Sequence, residues 1–121
     1  MLVDDAMIAN FIMKKLISTV APNIEVRDYV KPQLALDALV TDNPDIIFLD
    51  LNMPDINGWQ FLDEMKTKGL QHKVIILSSS TSEIDKSQTV NYNNVLAYYV
   101  KPLEKMQVIE ILDKIEKGAY N

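Results

Sequence analysis

Four polar features of this 121-residue sequence have types and spacing that could do chemistry together: Asp4-Asp5, Asp50, Ser78 and Lys101. Each follows a short apolar run, namely Met1–Val3, Asp45–Leu49, Val74–Leu77 and Val95–Val100. If those runs are strands of one parallel sheet, the polar side chains meet on one rim. Three carboxylates brought together repel, and a cation is the cheapest remedy. With no cysteine and one histidine in the chain, the ligands are oxygens, which suits magnesium, with manganese as the alternative, rather than zinc. Magnesium keeps several waters and takes one or two carboxylates, so its site stays open to a phosphate. A carboxylate is a competent nucleophile toward phosphorus, and phosphoryl transfer asks mainly for positioning and charge neutralisation. A metal on one phosphoryl oxygen, Lys101 on a second and the Ser78 hydroxyl on a third would complete such a site.

The elements that must position these residues alternate strictly. Met1–Val3 reads as a strand. Residues 6–20 carry Ile8, Phe11, Ile12 and Leu16 at helical spacing, which predicts an amphipathic helix buried on that stripe. Ile24–Tyr29 alternates apolar and polar residues, the pattern of a half-buried strand. Pro32 opens a second helix, with Ala35, Leu36, Leu39 and Val40 as its buried face, and Asn43-Pro44 ends it. Asp45–Leu51 is continuously apolar between its two aspartates, as expected of a strand covered on both faces. After a turn-rich Asn52–Gly58 comes a helix marked by Trp59, Leu62 and Met65, closing near Gly69. Val74–Leu77 is a second fully buried strand, and Ser78-Ser79-Ser80 follow it. Residues 81–94 read as a weakly anchored helix, with Ile84 and Val90 its only clear apolar residues. Val95–Val100 is the fifth strand. Val108, Ile111, Leu112 and Ile115 mark the last helix. Five β-then-α units predict a doubly wound (βα)5 parallel sheet with its ligand site beyond the carboxyl ends of the strands; right-handed crossovers leave few topologies, of which the flavodoxin-like order 2-1-3-4-5 is the one expected.

Composition narrows the classes. The chain is 48% hydrophobic and 24% charged, consistent with one soluble domain over residues 1–121. Twelve basic against 17 acidic residues give a formal charge of -5, which argues against direct nucleic-acid binding. No apolar stretch reaches the length of a membrane span, and Asp4-Asp5 sit where a signal peptide would be basic, so a cytoplasmic location and no membrane partner are expected.

The segments Leu2-Val3-Asp4-Asp5, Phe48–Pro54, Leu77-Ser78-Ser79 and Tyr98–Pro102, in this order and each at a predicted strand end, resemble the receiver domain of two-component response regulators. That resemblance covers essentially the whole chain. It implies a CheY-like fold and a domain that is not an enzyme. Asp50 would be the phosphoacceptor. Asp5 would bind the metal directly, with Asp50 and the Asn52 backbone carbonyl, and Asp4 through water. Lys101 would contact the phosphate, Ser78 would be the switch hydroxyl, and Tyr98 the aromatic that rotates inward. The Lys101–Pro102 bond would be cis. Implied partners are a sensor histidine kinase or phosphotransfer protein as donor and an unidentified output protein or domain, engaged through the fourth helix, fifth strand and fifth helix. The sequence departs from the family pattern at three points. Only Met1–Val3 precede the acidic pair, Asn57-Gly58 replaces a common Asp-Gly, and Ser79 replaces a common alanine.

Plainer readings stand beside these. Asp4-Asp5 taken alone would be an exposed helix cap, whereas an Asp closing an apolar run needs a partner or cation. Ser79 and Ser80 rival Ser78 for the hydroxyl role. Tyr98 and Tyr99 must face opposite sides of their strand. Trp59 reads as helix packing, His72 as a surface residue, and the methionines as filler. The alternative function is a degenerate receiver that binds proteins without phosphorylation. An aspartyl phosphatase of the haloacid dehalogenase type would need an Asp where Asn52 stands, and a flavodoxin would need a phosphate loop where Asp4-Asp5 stand.

Overall fold

The five predicted strands pair into one sheet. The structure is a computed structural model that describes residues 1–79 and 82–118. In chain order the elements are β1 Leu2–Val3, α1 Met7–Val20, β2 Asp28–Tyr29, α2 Pro32–Asp42, β3 Ile47–Asp50 and α3 Gly58–Thr67. They continue with β4 Val74–Ser78, α4 Glu83–Ser87, a 3-10 helix Gln88–Asn91, β5 Val95–Val100 and α5 Lys105–Glu116. All four strand pairings are parallel, and the order is β2-β1-β3-β4-β5, one of the few that right-handed βα crossovers allow.

The two faces of the sheet make two cores. Val3, Leu49, Val74 and Ile76 point toward Ala35, Leu36, Leu39, Phe61, Leu62 and Met65 of α2 and α3. Leu2, Phe48, Ile75 and Leu77 point toward Ile17, Val108 and Ile111 of α1 and α5. Successive residues of one strand thus enter opposite cores, which is why β3 and β4 are apolar without alternation. Tyr98 joins the α2–α3 side and Tyr99 the α1–α5 side, dividing the pair by the same parity.

Three sequence expectations are corrected. The predicted α1 stripe is not the buried one: Ile8, Phe11 and Ile12 are 73%, 61% and 58% exposed, and Leu16 is half-buried. The packed face is Asn10, Met13, Leu16, Ile17 and Val20. This helix is apolar on two sides, and the side reaching its last turn is the one laid against the sheet and α5. In α2, Val40 is 75% exposed while Ala35, Leu36 and Leu39 are buried. The predicted strand over 24–29 pairs only at Asp28–Tyr29, because β1, its only neighbour, is two residues long. Beside residues 24–27 lies a cavity of about 770 Å³, bounded also by Met1, Ile46, Phe48 and Leu112.

The segment after β4 divides into α4 and the 3-10 helix, and Ile84 and Val90 are both exposed. Tyr92 anchors it instead: the ring stacks on Trp59 at 5.7 Å, and its hydroxyl donates to Asp63 Oδ1 at 2.8 Å. Ser80 and Thr81, where a rival hydroxyl and the start of this helix were expected, lie outside the described residues.

Candidate functional site

Asp4, Asp50, Ser78 and Asn10 are the buried polar residues among those described. Three of them are predicted site residues at the carboxyl ends of β1, β3 and β4. Asp4 follows β1, and its Oδ1 accepts from the Ala6 N–H at 2.9 Å, which turns the chain toward α1. Asp5 is exposed beside it. Asp50 closes β3 at 6% exposure, and its Oδ1 accepts from the Asn52 N–H at 3.2 Å. One carboxylate oxygen from each of Asp4, Asp5 and Asp50 lies within 4.8 Å of the others.

The opposing charge comes from Lys101, just past β5. Its ammonium pairs with Asp4 Oδ2 and lies 3.3 Å from Asp50 Oδ1. The Lys101 N–H donates to the Ser78 carbonyl at 2.8 Å, extending the β4–β5 ladder so that the lysine reaches back over the sheet end. The Lys101–Pro102 bond is cis. Burial raises the Asp50 pKa, Lys101 opposes that and Asp4 adds to it, and the net result is a raised value. For Lys101, burial works to lower the pKa, but the hydrogen bond and charge of Asp4, with Asp50 behind them, outweigh it and leave it raised. Three carboxylates therefore face one ammonium. That excess of anionic oxygen suits a hard divalent cation.

Ser78 is the last residue of β4 and fully buried, whereas Ser79 is exposed. Tyr98, two residues before the end of β5, is half-buried and level with Ile76. The structure thus brings Asp4, Asp5, Asp50 and Lys101 together, with Ser78 and Asn52 adjoining Asp50 along the chain or sheet, and Tyr98 on the α2–α3 side.

Two residues that help build this rim were not singled out for a site role. Gly58 opens α3 directly behind Asp50: a Cβ there would lie 2.6 Å from Leu51 Cδ2 and 2.9 Å from the Asp50 carbonyl. Asn57 caps that helix with a reciprocal Asn57–Gln60 capping box. Asn10 is 1% exposed, and its amide donates to the Asp4 carbonyl at 3.0 Å and the Tyr29 carbonyl at 3.2 Å. An Asn within an otherwise apolar helix face was the signal in the sequence. The stripe assigned to α1 placed it off the buried side.

A doubly wound parallel sheet with an acid pair, a further, buried carboxylate and a lysine at its carboxyl rim agrees with what sequence comparison finds. The response regulator receiver domain family matches residues 1–113, and the chain belongs to that family. It is 30% identical over 119 residues to the nitrate/nitrite response regulator protein NarL of Escherichia coli, covering 98% of this chain and 54% of that protein. It is 30% identical over 83 residues to sporulation initiation phosphotransferase F of Bacillus subtilis, covering 69% and 64%. The chain thus spans about half the length of NarL. Among solved structures, a two-component response regulator from Cytophaga hutchinsonii superposes with a TM-score of 0.84 at 28% identity, covering 96% of this chain and 94% of that one. The chemotaxis protein CheY4 of Vibrio cholerae shares the fold with a TM-score of 0.81 at 20% identity, covering 94% of each chain. The chain is a receiver domain of two-component signalling, and none of its described helices is long and apolar enough to cross a membrane.

Proposed function

We propose that this domain accepts a phosphoryl group on Asp50 from a phosphohistidine of a sensor kinase or phosphotransfer protein. The observation that carries the reading is the convergence of Asp4, Asp5 and Asp50 within 4.8 Å, with Lys101 held against two of them. A carboxylate oxygen of Asp50 forms the new O–P bond as the donor's P–N bond breaks. The electron pair stays with the imidazole nitrogen, which then takes a proton. Lys101 exchanges its Asp4 and Asp50 partners for a phosphoryl oxygen, and so neutralises charge where it develops. Asp5, Asp50 and the Asn52 carbonyl would hold magnesium, with Asp4 engaged through water, and the ion would supply further charge neutralisation.

Ser78 and Tyr98 form the switch in this reading. A phosphoryl group on Asp50 draws the Ser78 hydroxyl from its buried position, and Tyr98 moves into the space released. The surface formed by α4, β5 and α5 then changes shape for an output partner. The thin apolar anchoring of α4 and the 3-10 helix suits such movement.

Incubation with magnesium and acetyl phosphate, read by intact mass, tests the assignment. One phosphoryl adduct is expected on the native protein and none on Asp50→Asn. Equal labelling of the variant refutes Asp50 as acceptor. No adduct and no magnesium binding would assign the domain to phosphorylation-independent protein binding.

A further inference from the structure

Three of the four buried polar residues among those described are acceptor-site residues, and Asn10 is the fourth. It lies in the second turn of α1, where an amide without partners in an apolar interface is destabilising, so its partners explain its presence. Its Nδ2 donates to two main-chain carbonyls from different elements. One belongs to Asp4, the first residue of the acidic loop, and the other to Tyr29, the end of β2. The Asp4 N–H in turn donates to that same Tyr29 carbonyl at 3.1 Å. Asn10 therefore closes a small ring of hydrogen bonds through α1, the β1–α1 loop and β2. Its amide holds the Asp4 carbonyl, while the Ala6 N–H holds the Asp4 side chain.

The geometry has a consequence for chemistry. β1 is only two residues long, so the strand by itself is a short tether for the acidic loop. The loop pairs with β2 through Asp4 and with α1 through Asn10, and Asp5 follows with its side chain exposed. We propose that Asn10 is a positioning residue that fixes the Asp4-Asp5 loop against Asp50, and that divalent-cation affinity depends on its amide donor. This rests on the acceptor-site reading above for its relevance to phosphorylation, but the metal and loop measurements stand without any phosphoryl transfer.

Asn10→Asp keeps the size of the side chain and removes the donor; Asn10→Ala removes both. Ile17→Ala, on the same buried face of α1 and about two turns away, is the control that weakens the helix contact without touching the loop. Two readouts are needed. Hydrogen exchange in the metal-free protein follows the Ala6 amide, and calorimetric titration measures magnesium affinity. Both Asn10 variants are expected to speed exchange at Ala6 more than at the β3 and β4 amides, and to weaken magnesium binding on the order of 10-fold, the usual effect of losing an outer support of a metal site. Ile17→Ala is expected to lower global stability with the magnesium constant unchanged. Saturating magnesium restores the labelling rate of the Asn10 variants, whereas Asp50→Asn remains unlabelled at any concentration. Unchanged magnesium affinity in both Asn10 variants, or the same loss in Ile17→Ala, overturns the proposal. If the native protein binds no magnesium, the acceptor-site reading fails. Unaltered Ala6 exchange in the variants separately refutes the loop clamp.

Discussion

Asp50 is a carboxylate placed where its neighbours disagree about its charge. Burial and Asp4 push its pKa up while Lys101, 3.3 Å away, pulls it down, and the net result is a raised value. The backbone behind it tolerates no bulk. A methyl at Gly58 would meet Leu51 Cα at 2.8 Å and the Asp50 carbonyl at 2.9 Å, backbone atoms that cannot rotate away. Gly58→Ala is therefore expected to lower unfolding free energy by about 1–3 kcal/mol and to slow Asp50 labelling. Urea denaturation and intact-mass kinetics check both effects; a fully stable, normally labelled variant would show that α3 can shift without cost. The candidate site was readable at this scale because carboxylates, a hydroxyl and a lysine at strand ends have few structural uses together. Asn10 and Gly58 escaped because their importance lies in what touches them: one meets two carbonyls from other elements, the other a backbone it must approach.

At the scale of elements, α1 is the instructive case. Its sequence offers two apolar stripes, and the face carrying Ile17 is the buried one. Ile17→Ala is expected to cost about 2–5 kcal/mol. Phe11→Ser, at a side chain 61% exposed, is expected to fall within about 0.5 kcal/mol of the native protein. Urea unfolding of the two variants decides between the stripes, and a larger loss at Phe11 would restore the one read from spacing alone. β1 carries a second prediction. The Met1 ammonium donates to the Ile46 carbonyl at 2.9 Å inside the sheet, and burial pulls its pKa from 8.0 down to about 6, against the raising charges of Asp42 and Asp45. Between those values the unfolded chain holds the proton and the folded chain does not, so stability rises from pH 6 to pH 8 and is lost in the reverse direction. Urea unfolding at both values should show the rise, and acetylation of Met1 should flatten it. An identical slope after acetylation would assign the pH dependence to other groups.

Across the whole molecule, three acidic side chains are drawn from two strand ends of one sheet, so a cation that bridges them stabilises the fold that gathers them. A ligand bound only by the folded state at 100 times its dissociation constant adds about 2.7 kcal/mol. Magnesium is expected to raise the thermal midpoint in proportion to the logarithm of its concentration, and Asp5→Asn to lose most of that rise. Calorimetry in magnesium and in chelator checks this; the same rise in both proteins would place the ion elsewhere. Strand number and strand type were legible in the sequence because continuous apolar runs alternate with helical spacing; right-handed crossovers left few sheet orders, and the resemblance to receiver domains selected among them. The strand-end residues followed, since parallel strands deliver their carboxyl ends to the same rim. Packing settled the rest. Which stripe of α1 is buried, how little of residues 24–29 pairs, and how α4 is anchored through Tyr92 all depend on partners distant in the chain. Local spacing fixes what an element can bury, and only the tertiary structure decides what it meets.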